Sequence, residues 1–436
     1  MKQSEFEKRR RNIMQKIGKG NIGLIASAPN QTRNRDVDYP YRQDSDFYYL
    51  TGFNESGALA VFIPEREQGE YILFCREFDE KKALWEGAHS GLEGATEHYG
   101  ADDSFPIDDL KDILPGMLEN KAKVFYPMGR DSDLDHNLLE WINNIRQKSR
   151  NCVNAPGELV SLEHILHEMR LFKSAEELKL MRKAGKVSAQ AHVRAMKSCK
   201  AGMYEYQIEA EIVHELSIEG LRAVAYPSIV AGGKNACVLH YIDNHHKLRK
   251  NDLLLIDAGG ECNHYAADIT RTFPVSGKFS PAQKQLYQLV LDAQLAAIEL
   301  VKVGTPWNEL HDISVEIITT GLIKLGLLKG DIETLIEEET YKEFYMHRIG
   351  HWLGMDVHDV GDYKIDDDWR LLEEGMVLTV EPGLYIQADC KTVAAKWRGI
   401  GIRIEDDILV TKNGHEVLSR DVPKTIEEIE ALMQED

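Results

Sequence analysis

The stretch LLLIDAGGECNHYAADITRTF, residues 253–273, places two aspartates among apolar residues. The four apolar residues before Asp257 are typical of a well-buried strand, and Tyr265–Pro274 is expected to form a second strand. A glycine-containing turn between them would bring Asp257 and Asp268 side by side. An aspartate in an apolar strand is costly unless its charge is compensated, and a metal ion is the simplest compensation. The alternative is that each aspartate lies on a solvent-facing edge strand.

Histidines are concentrated further along the chain, in MHRIGHWLGMDVHD, residues 346–359. His347 and His351 have the i, i+4 spacing of a helical zinc motif, but Arg348 stands where that motif requires glutamate. Two glycines also argue against a regular helix in this stretch. Three histidines within so few residues, the third being His358, still favour a binding or catalytic site over ordinary core packing.

Two glutamates repeat the pattern of the aspartates. Glu381 directly follows the strand-like run VLTV and precedes a proline, so the strand should end there. Glu405 lies within Ile400–Val410, whose alternation predicts one half-buried strand with Arg403 and Glu405 on the same face. For either glutamate alone, the alternative is a solvated charge at a strand end.

Taken together, four carboxylates and one imidazole form a set of mostly hard oxygen ligands. Such a set suits Mn²⁺ best, accepts Co²⁺ or Zn²⁺, and suits copper poorly. Four carboxylates are too much negative charge for one divalent ion, whereas two ions about 3.5–4 Å apart would balance them and could activate water together. The residues therefore predict a hydrolase with two divalent metal ions, with Mn²⁺ as the expected metal.

Composition limits the partners of this protein. The chain has 436 residues and a formal net charge of −20, which disfavours binding to nucleic acid or to an anionic membrane surface. We find no apolar run of membrane-spanning length and no signal-peptide pattern at the N-terminus. The six cysteines are scattered, so we expect reduced thiols and a cytoplasmic location.

The chain is expected to form two domains. In residues 1–170, short apolar runs alternate with helical segments, which predicts an α/β domain. A capping box formed by Ser174 and Glu177 marks a strong helix start near the boundary. In residues 171–436, the order helices, strands, helices, strands predicts an α+β domain with a duplicated unit.

Several motifs together resemble those of the pita-bread metallopeptidases, which include aminopeptidase P, prolidase and methionine aminopeptidase. The N-terminal stretch YPYRQDSDFYYLTGFNE, residues 39–55, resembles the aminopeptidase P members in particular. This resemblance implies a curved antiparallel sheet in the second domain. The motifs are VLHYIDN (238–244), DAG (257–259), DITRT (268–272), MHRIGHWLGMDVHD (346–359), TVEPGLY (379–385) and GIRIEDD (401–407).

The resemblance also implies a role for each matching residue. Asp257 would bind one metal, Asp268 and Glu405 would bridge both, and His351 would bind the second. Glu381 would be both a ligand of the second metal and the general base for a bridging water or hydroxide. Around this centre, His358 would stabilise the oxyanion, His240 would lie near the substrate, and the proline pocket would be shaped by His347, Tyr385 and Arg403.

The implied activity is removal of an N-terminal residue that precedes proline. Prolidase activity on Xaa-Pro dipeptides is the alternative, followed by a pita-bread domain that has lost its metals, either as a peptide-binding module or as a creatinase-like hydrolase. The resemblance further implies a homo-oligomer, a dimer or tetramer, in which Trp85 reaches a neighbouring active site. The alternative for Trp85 is an ordinary buried indole.

Overall fold

The computed structural model describes residues 1–148, 150 and 152–434. The chain divides into two compact units, Met1–Met169 and Arg170–Asp436. Within the described residues, every helix is too short or too polar to cross a lipid bilayer.

The first unit is built on a six-stranded mixed sheet in the order β6-β5-β4-β1-β7-β8. The apolar runs noted in the sequence form β1, β4, β5 and β7, so the prediction of an α/β unit is confirmed. The strands are β1 Ile22–Ala26, β2 Thr32–Asn34, β3 Val37–Asp38, β4 Leu59–Phe62, β5 Tyr71–Cys75, β6 Asp103–Pro106, β7 Lys123–Tyr126 and β8 Glu158–Ser161. The helices up to residue 171 are α1 Gln3–Ile17, α2 Ser45–Thr51, α3 Glu80–Glu86, α4 Gly91–Glu97, α5 Leu110–Leu118, α6 Ser132–Gln147 and α7 Glu163–Leu171.

The second unit contains helices followed by antiparallel strands, twice in succession, as the prediction of an α+β unit requires. Its helices are α8 Ala175–Ser198, α9 Glu205–Ile218, α10 Pro281–Leu300, α11 Trp307–Lys324, α12 Ile332–Glu337 and α13 Ile426–Leu432. Its first group of strands is β9 Ala223–Val224, β10 Ile229–Gly232, β11 Leu253–Asp257, β12 Gly260–Cys262, β13 Tyr265–Ala266 and β14 Thr270–Pro274. Its second group is β15 Lys364–Ile365, β16 Asp368–Trp369, β17 Val377–Val380, β18 Gly383–Ile386, β19 Ile400–Arg403, β20 Asp406–Thr411 and β21 Gly414–Val417.

The strand that carries Asp257 lies in the middle of a sheet. β11 pairs with β10 on one side and with β14 on the other, both antiparallel, and Asp257 is opposite Thr270. The residues Leu253–Ile256 are fully or almost fully buried, as their unbroken apolar run predicts. The alternative of a solvent-facing edge strand is therefore wrong for Asp257.

Two of the predicted strands are interrupted, and each interruption contains a site carboxylate. The predicted strand Tyr265–Pro274 is divided into β13, which pairs with β12, and β14, which pairs with β11. Asp268 lies between them. The predicted strand Ile400–Val410 is likewise divided into β19, which pairs with β18, and β20, which pairs with β17. Glu405 lies where the chain changes partner, which the alternation of residues could not reveal.

Candidate metal centre

The predicted site residues, apart from Tyr385, line one cavity of about 410 Å³ in the second unit. They come from distant parts of the chain. Asp257, Asp268 and Glu405 meet because β14 pairs with β11 and the Glu405 N–H donates to the Thr270 carbonyl. The lining residues are Leu239, His240, Asp257, Asp268, His347, Arg348, Gly350, His351, His358, Tyr363, Glu381, Arg403 and Glu405.

Three of the predicted metal ligands form a tight cluster. Asp268, His351 and Glu405 each present a ligand atom, and these atoms lie within 4.8 Å of one another. The Nε2 atom of His351 is 3.4 Å from a carboxylate oxygen of Asp268 and 3.6 Å from one of Glu381. Asp268 and Glu405 are buried, so neither is the solvated charge that the alternative reading required.

The segment before β17 aims His351 at the cavity. The backbone N–H of His351 donates to the Thr379 hydroxyl (3.1 Å), and the Thr379 N–H donates to the His351 carbonyl (2.9 Å). Gly350 packs so closely that a Cβ there would lie 2.0 Å from the Thr379 carbonyl oxygen. Residues 345–363, all of which the structure describes, contain no helix, so exclusion of the helical zinc motif is confirmed.

Hydrogen bonding leaves one nitrogen of His351 for the cavity. Its Nδ1 lies 2.9 Å from the carbonyl oxygen of Trp352, an acceptor that assigns the proton to Nδ1. A carbonyl partner of this kind is what orients metal-binding histidines in proteins. The Nε2 atom therefore faces the carboxylates.

Arg403 links the carboxylates to their surroundings. It is 4% exposed, so the alternative of a plain surface cation is wrong. Its guanidinium donates to Asp257 at 2.5 Å and to the Thr270 hydroxyl at 3.1 Å, and that hydroxyl donates to Glu405 at 2.6 Å. Arg403 offsets one of the four carboxylate charges at the cavity. The remaining charge and the oxygen-rich donor set fit two divalent cations.

The pKa values within the cluster respond to burial and to crowding of like charges. Burial raises the pKa of Glu381 to about 7, an increase that His351 and Arg403 oppose and the neighbouring aspartates reinforce. Burial alone would lower the pKa of His351, but the Asp268 hydrogen bond and the Glu381 charge raise it to about 9. A divalent cation would replace that proton, because a histidine ligand must be neutral.

The other histidines surround this cluster. The His358 ring centroid is 4.3 Å from that of His351. His240 lies on an exposed loop at the cavity, and His347 is hydrogen-bonded through Nε2 to the Tyr385 hydroxyl at 2.9 Å. Tyr385 itself is fully buried and accepts a hydrogen bond from Arg403 at 3.0 Å. Its position is therefore behind the lining, where it holds two residues that do reach the cavity.

Sequence reasoning missed Tyr226. Its hydroxyl contacts a carboxylate oxygen of Asp257 at 2.6 Å and also contacts Asp268. Burial and these carboxylates raise the pKa of Tyr226 well above its usual range. The hydroxyl therefore stays protonated and donates hydrogen bonds to the carboxylates. A single tyrosine before a proline, far from either aspartate in sequence, carries no signal of such a contact.

A second acidic cluster lies in the first unit but already contains a cation. Asp46, Glu163 and His167 present atoms within 4.8 Å of one another. Arg130 forms ion pairs with Asp46 at 3.2 Å and with Glu163 at 2.6 Å. We therefore interpret this cluster as an ion-pair network of the protein and not as a metal site.

Comparison with known proteins gives matches along nearly the whole chain. The sequence model of metallopeptidase family M24 matches residues 179–412, and that of the aminopeptidase P N-terminal domain matches residues 6–126. Escherichia coli K12 Xaa-Pro aminopeptidase is 44% identical over 98% of this chain and 97% of its own length. Human Xaa-Pro aminopeptidase 3 is 33% identical over 99% of this chain and 86% of its own length.

Solved structures give the same result at the level of the fold. The Pseudomonas aeruginosa aminopeptidase PepP superposes with a TM-score of 0.98 at 54% identity, covering 99% of this chain and 98% of that one. The zinc-substituted E. coli aminopeptidase P, solved in complex with product, has a TM-score of 0.96 at 44% identity, with coverage of 99% and 98%. The predicted resemblance and fold class are confirmed, and this chain belongs to metallopeptidase family M24, with an aminopeptidase P N-terminal domain preceding its catalytic pita-bread domain.

Proposed function

We propose that this protein is an Xaa-Pro aminopeptidase, which hydrolyses the peptide bond between an N-terminal residue and a proline in second position. The observation that carries the proposal is the convergence of five ligand candidates, from separate segments, on one cavity. The names of the full-length relatives support the choice of substrate.

The five candidates would hold two divalent metal ions, and we propose Mn²⁺ because most of the donors are carboxylate oxygens. Asp268 and Glu405 would be shared by both ions, as the family resemblance implies. Asp268 contacts Tyr226 together with Asp257 and lies 3.4 Å from the Nε2 atom of His351. When bound, such a pair of ions activates water and polarises the scissile carbonyl.

The side chains of the protein would move the protons. A carboxylate that lines the cavity beside His351 can take a proton from water and return it to the departing proline nitrogen. Glu381 is therefore the proposed general base and acid. His358 and His240, which line the same cavity, would donate hydrogen bonds to the carbonyl oxygen and to the substrate.

Recognition of proline follows from the chemistry of its amide. An Xaa-Pro bond is a tertiary amide without an N–H, so a site cannot recognise it by accepting a hydrogen bond from that nitrogen. It can instead enclose the ring. We propose that His347 and Arg403 form this part of the pocket, with Tyr385 fixing both of them from behind through its hydroxyl.

Substrate length separates the two enzyme candidates. Metal-reconstituted protein should release glycine from a Gly-Pro-Xaa tripeptide at least as efficiently as from the Gly-Pro dipeptide. Cleavage confined to the dipeptide would identify a prolidase instead. Absence of any hydrolysis, with binding of the peptide retained, would favour the peptide-binding module.

We also propose that the protein works as a homo-oligomer in the cytoplasm. Helix α3 in the first unit exposes Leu84 (86%) and Trp85 (89%), so the alternative of a buried indole is wrong for Trp85. Contiguous exposed apolar side chains are typical of protein contacts, and these two residues adjoin each other on α3. Light scattering should give a dimer or tetramer that Trp85→Ser weakens. The cytoplasmic location rests on the six free cysteines and can be checked by fractionation.

A further inference from the structure

Both apolar packing and polar contacts hold the loop that presents His240. It comprises residues 233–246, between β10 and β11, and it contributes Leu239 and His240 to the cavity. The neighbouring side chains of Val238 and Ile242 are 52% and 59% exposed. Ala236, Cys237 and Tyr241 pack in a buried apolar cluster, and the polar contacts of the loop add to that packing.

One buried carboxylate accepts four of the hydrogen bonds that hold this segment. Glu205, the first residue of α9, is 0% exposed. One of its oxygens accepts hydrogen bonds from the Gly232 N–H at 2.8 Å and from the Asn235 side-chain amide at 2.9 Å. The other accepts from the Tyr241 hydroxyl and from the His246 N–H, both at 2.8 Å.

These four donors are distributed along the whole loop. Gly232 precedes the loop, Asn235 is near its start, Tyr241 follows His240 directly, and His246 is at its end. Hydrogen bonds to an ionised carboxylate are stronger than those between neutral groups. The N-terminal end of α9 adds a favourable field for the negative charge. A single side chain thus fixes the beginning, the middle and the end of the segment that carries His240.

We propose that Glu205 is a positioning residue for the aminopeptidase reaction, acting through the loop 233–246 to hold His240 at the substrate. It is absent from the lining of the cavity and from the proposed metal ligands. The inference rests on the proposed function, since it assigns Glu205 a part in that same reaction.

Glu205→Gln tests the proposal with almost no change in volume. Whichever way the new amide is turned, its NH₂ group faces two donors, so the loop loses part of its anchoring. We expect kcat/KM for an Xaa-Pro tripeptide to fall about 10-fold, with bound metal per chain unchanged. In a His240→Ala background, Glu205→Gln should lower kcat/KM less than about twofold, because the effects of two residues that act together are not additive.

Glu177→Gln is the matched control. Glu177 is also a buried glutamate that accepts a tyrosine hydroxyl, that of Tyr265 at 2.9 Å, but it lies at the start of α8. The fold-change in kcat/KM caused by Glu177→Gln should be the same with and without His240→Ala. An unchanged kcat/KM in Glu205→Gln, or a full multiplicative effect with His240→Ala, would overturn the proposal. If Glu205→Gln does not fold, Tyr241→Phe removes one of the four donors and enters the same cycle.

Hydrogen exchange separates failure of this inference from failure of the proposed function. Amides of residues 232–246 should exchange faster in Glu205→Gln than in wild type, and at the wild-type rate in Glu177→Gln. Unchanged exchange there would refute the anchoring role whether or not the enzyme is active. Wild-type protein that is inert towards Xaa-Pro peptides when loaded with metal would instead refute the proposed function.

Discussion

At the scale of single residues, Glu381 combines the two properties that a proton carrier needs. It lies at the cavity 3.6 Å from His351, and as a carboxylate it can both accept and return a proton. Its place at the end of β17, just before a proline, fixes the backbone on which this carboxylate depends.

Glu381→Ala should therefore abolish hydrolysis while leaving the fold intact. We expect kcat to fall about 10²- to 10⁴-fold, the range attributed to general acid–base groups. Glu374→Ala is the control, since Glu374 is exposed and precedes the same strand. Turnover of Glu381→Ala at the wild-type rate, with circular dichroism unchanged, would disprove the proposed mechanism.

His192, which lies outside the proposed active site, contributes to the pH dependence of folding stability. It is fully buried in α8 and hydrogen-bonded to the Ala258 carbonyl at 2.9 Å. Burial lowers its pKa from 6.5 to about 4. Between these pH values the unfolded chain binds a proton that the folded chain excludes. The contribution of His192 to the free energy of unfolding is therefore complete above pH 6.5 and is lost as the pH falls towards 4.

This shift predicts a specific loss of stability on acidification. From pH 7.5 to pH 5, His192 should remove about 2 kcal/mol from the free energy of unfolding. His192→Gln should lose correspondingly less over the same interval, measured by urea unfolding in the presence of a chelator. His214→Gln, a change at an exposed histidine of α9, should follow wild type. Equal pH dependence in wild type and His192→Gln would contradict the assignment.

At the scale of elements, the carboxylates Asp268 and Glu405 occupy equivalent places. Each lies where the chain leaves one strand partner and joins another, and the N–H of Glu405 donates to the Thr270 carbonyl at 3.1 Å across the gap. An interrupted ladder frees these residues from strand pairing, which allows their carboxylates to turn into the cavity. Each half of the second unit thus contributes one carboxylate to the site from an interruption in strand pairing.

The extended segment that carries His351 yields a prediction of its own. Gly350→Ala would place a methyl group 2.0 Å from the Thr379 carbonyl oxygen, so the segment must move away from β17. We expect metal affinity to fall about 10- to 100-fold, the typical effect of disturbing the support of a ligand. Isothermal titration with Mn²⁺ measures this directly.

Gly116→Ala is the matched control for that substitution. Gly116 lies in α5, where an added Cβ meets nothing within 4 Å, so alanine should leave metal affinity unchanged. Unaltered affinity in Gly350→Ala would mean that the close approach of the two segments does not position His351.

Local patterns predicted much of this architecture and only part of the site. The capping box at Ser174 and the apolar run before Asp257 act over a few residues, and both form as expected. The exchange of strand partners at Glu405 depends on residues more than a hundred positions away, such as Thr270. Tyr226 reaches both aspartates for the same non-local reason. Each carboxylate taken alone is ambiguous. The site could be identified because the motifs together resemble those of a known family.

At the scale of the whole molecule, the metal centre should stabilise the fold of the second unit. Its proposed ligands come from segments between residues 257 and 405, so two bound ions would link β11, β17 and the interrupted strands. A ligand that binds only the folded state adds about 2.7 kcal/mol to the free energy of unfolding when its concentration is 100 times its dissociation constant. Calorimetry with and without Mn²⁺ should show this stabilisation, and a smaller one in Glu381→Ala.

The proposed activity of this peptidase requires two metal ions. The most direct measurement titrates verified metal-free protein with Mn²⁺ while following release of the N-terminal residue from an Xaa-Pro-Xaa tripeptide. We predict no release without metal, and activity that reaches its plateau at two ions per chain. Full activity in the metal-free protein, or no activity at saturating Mn²⁺, would contradict the account.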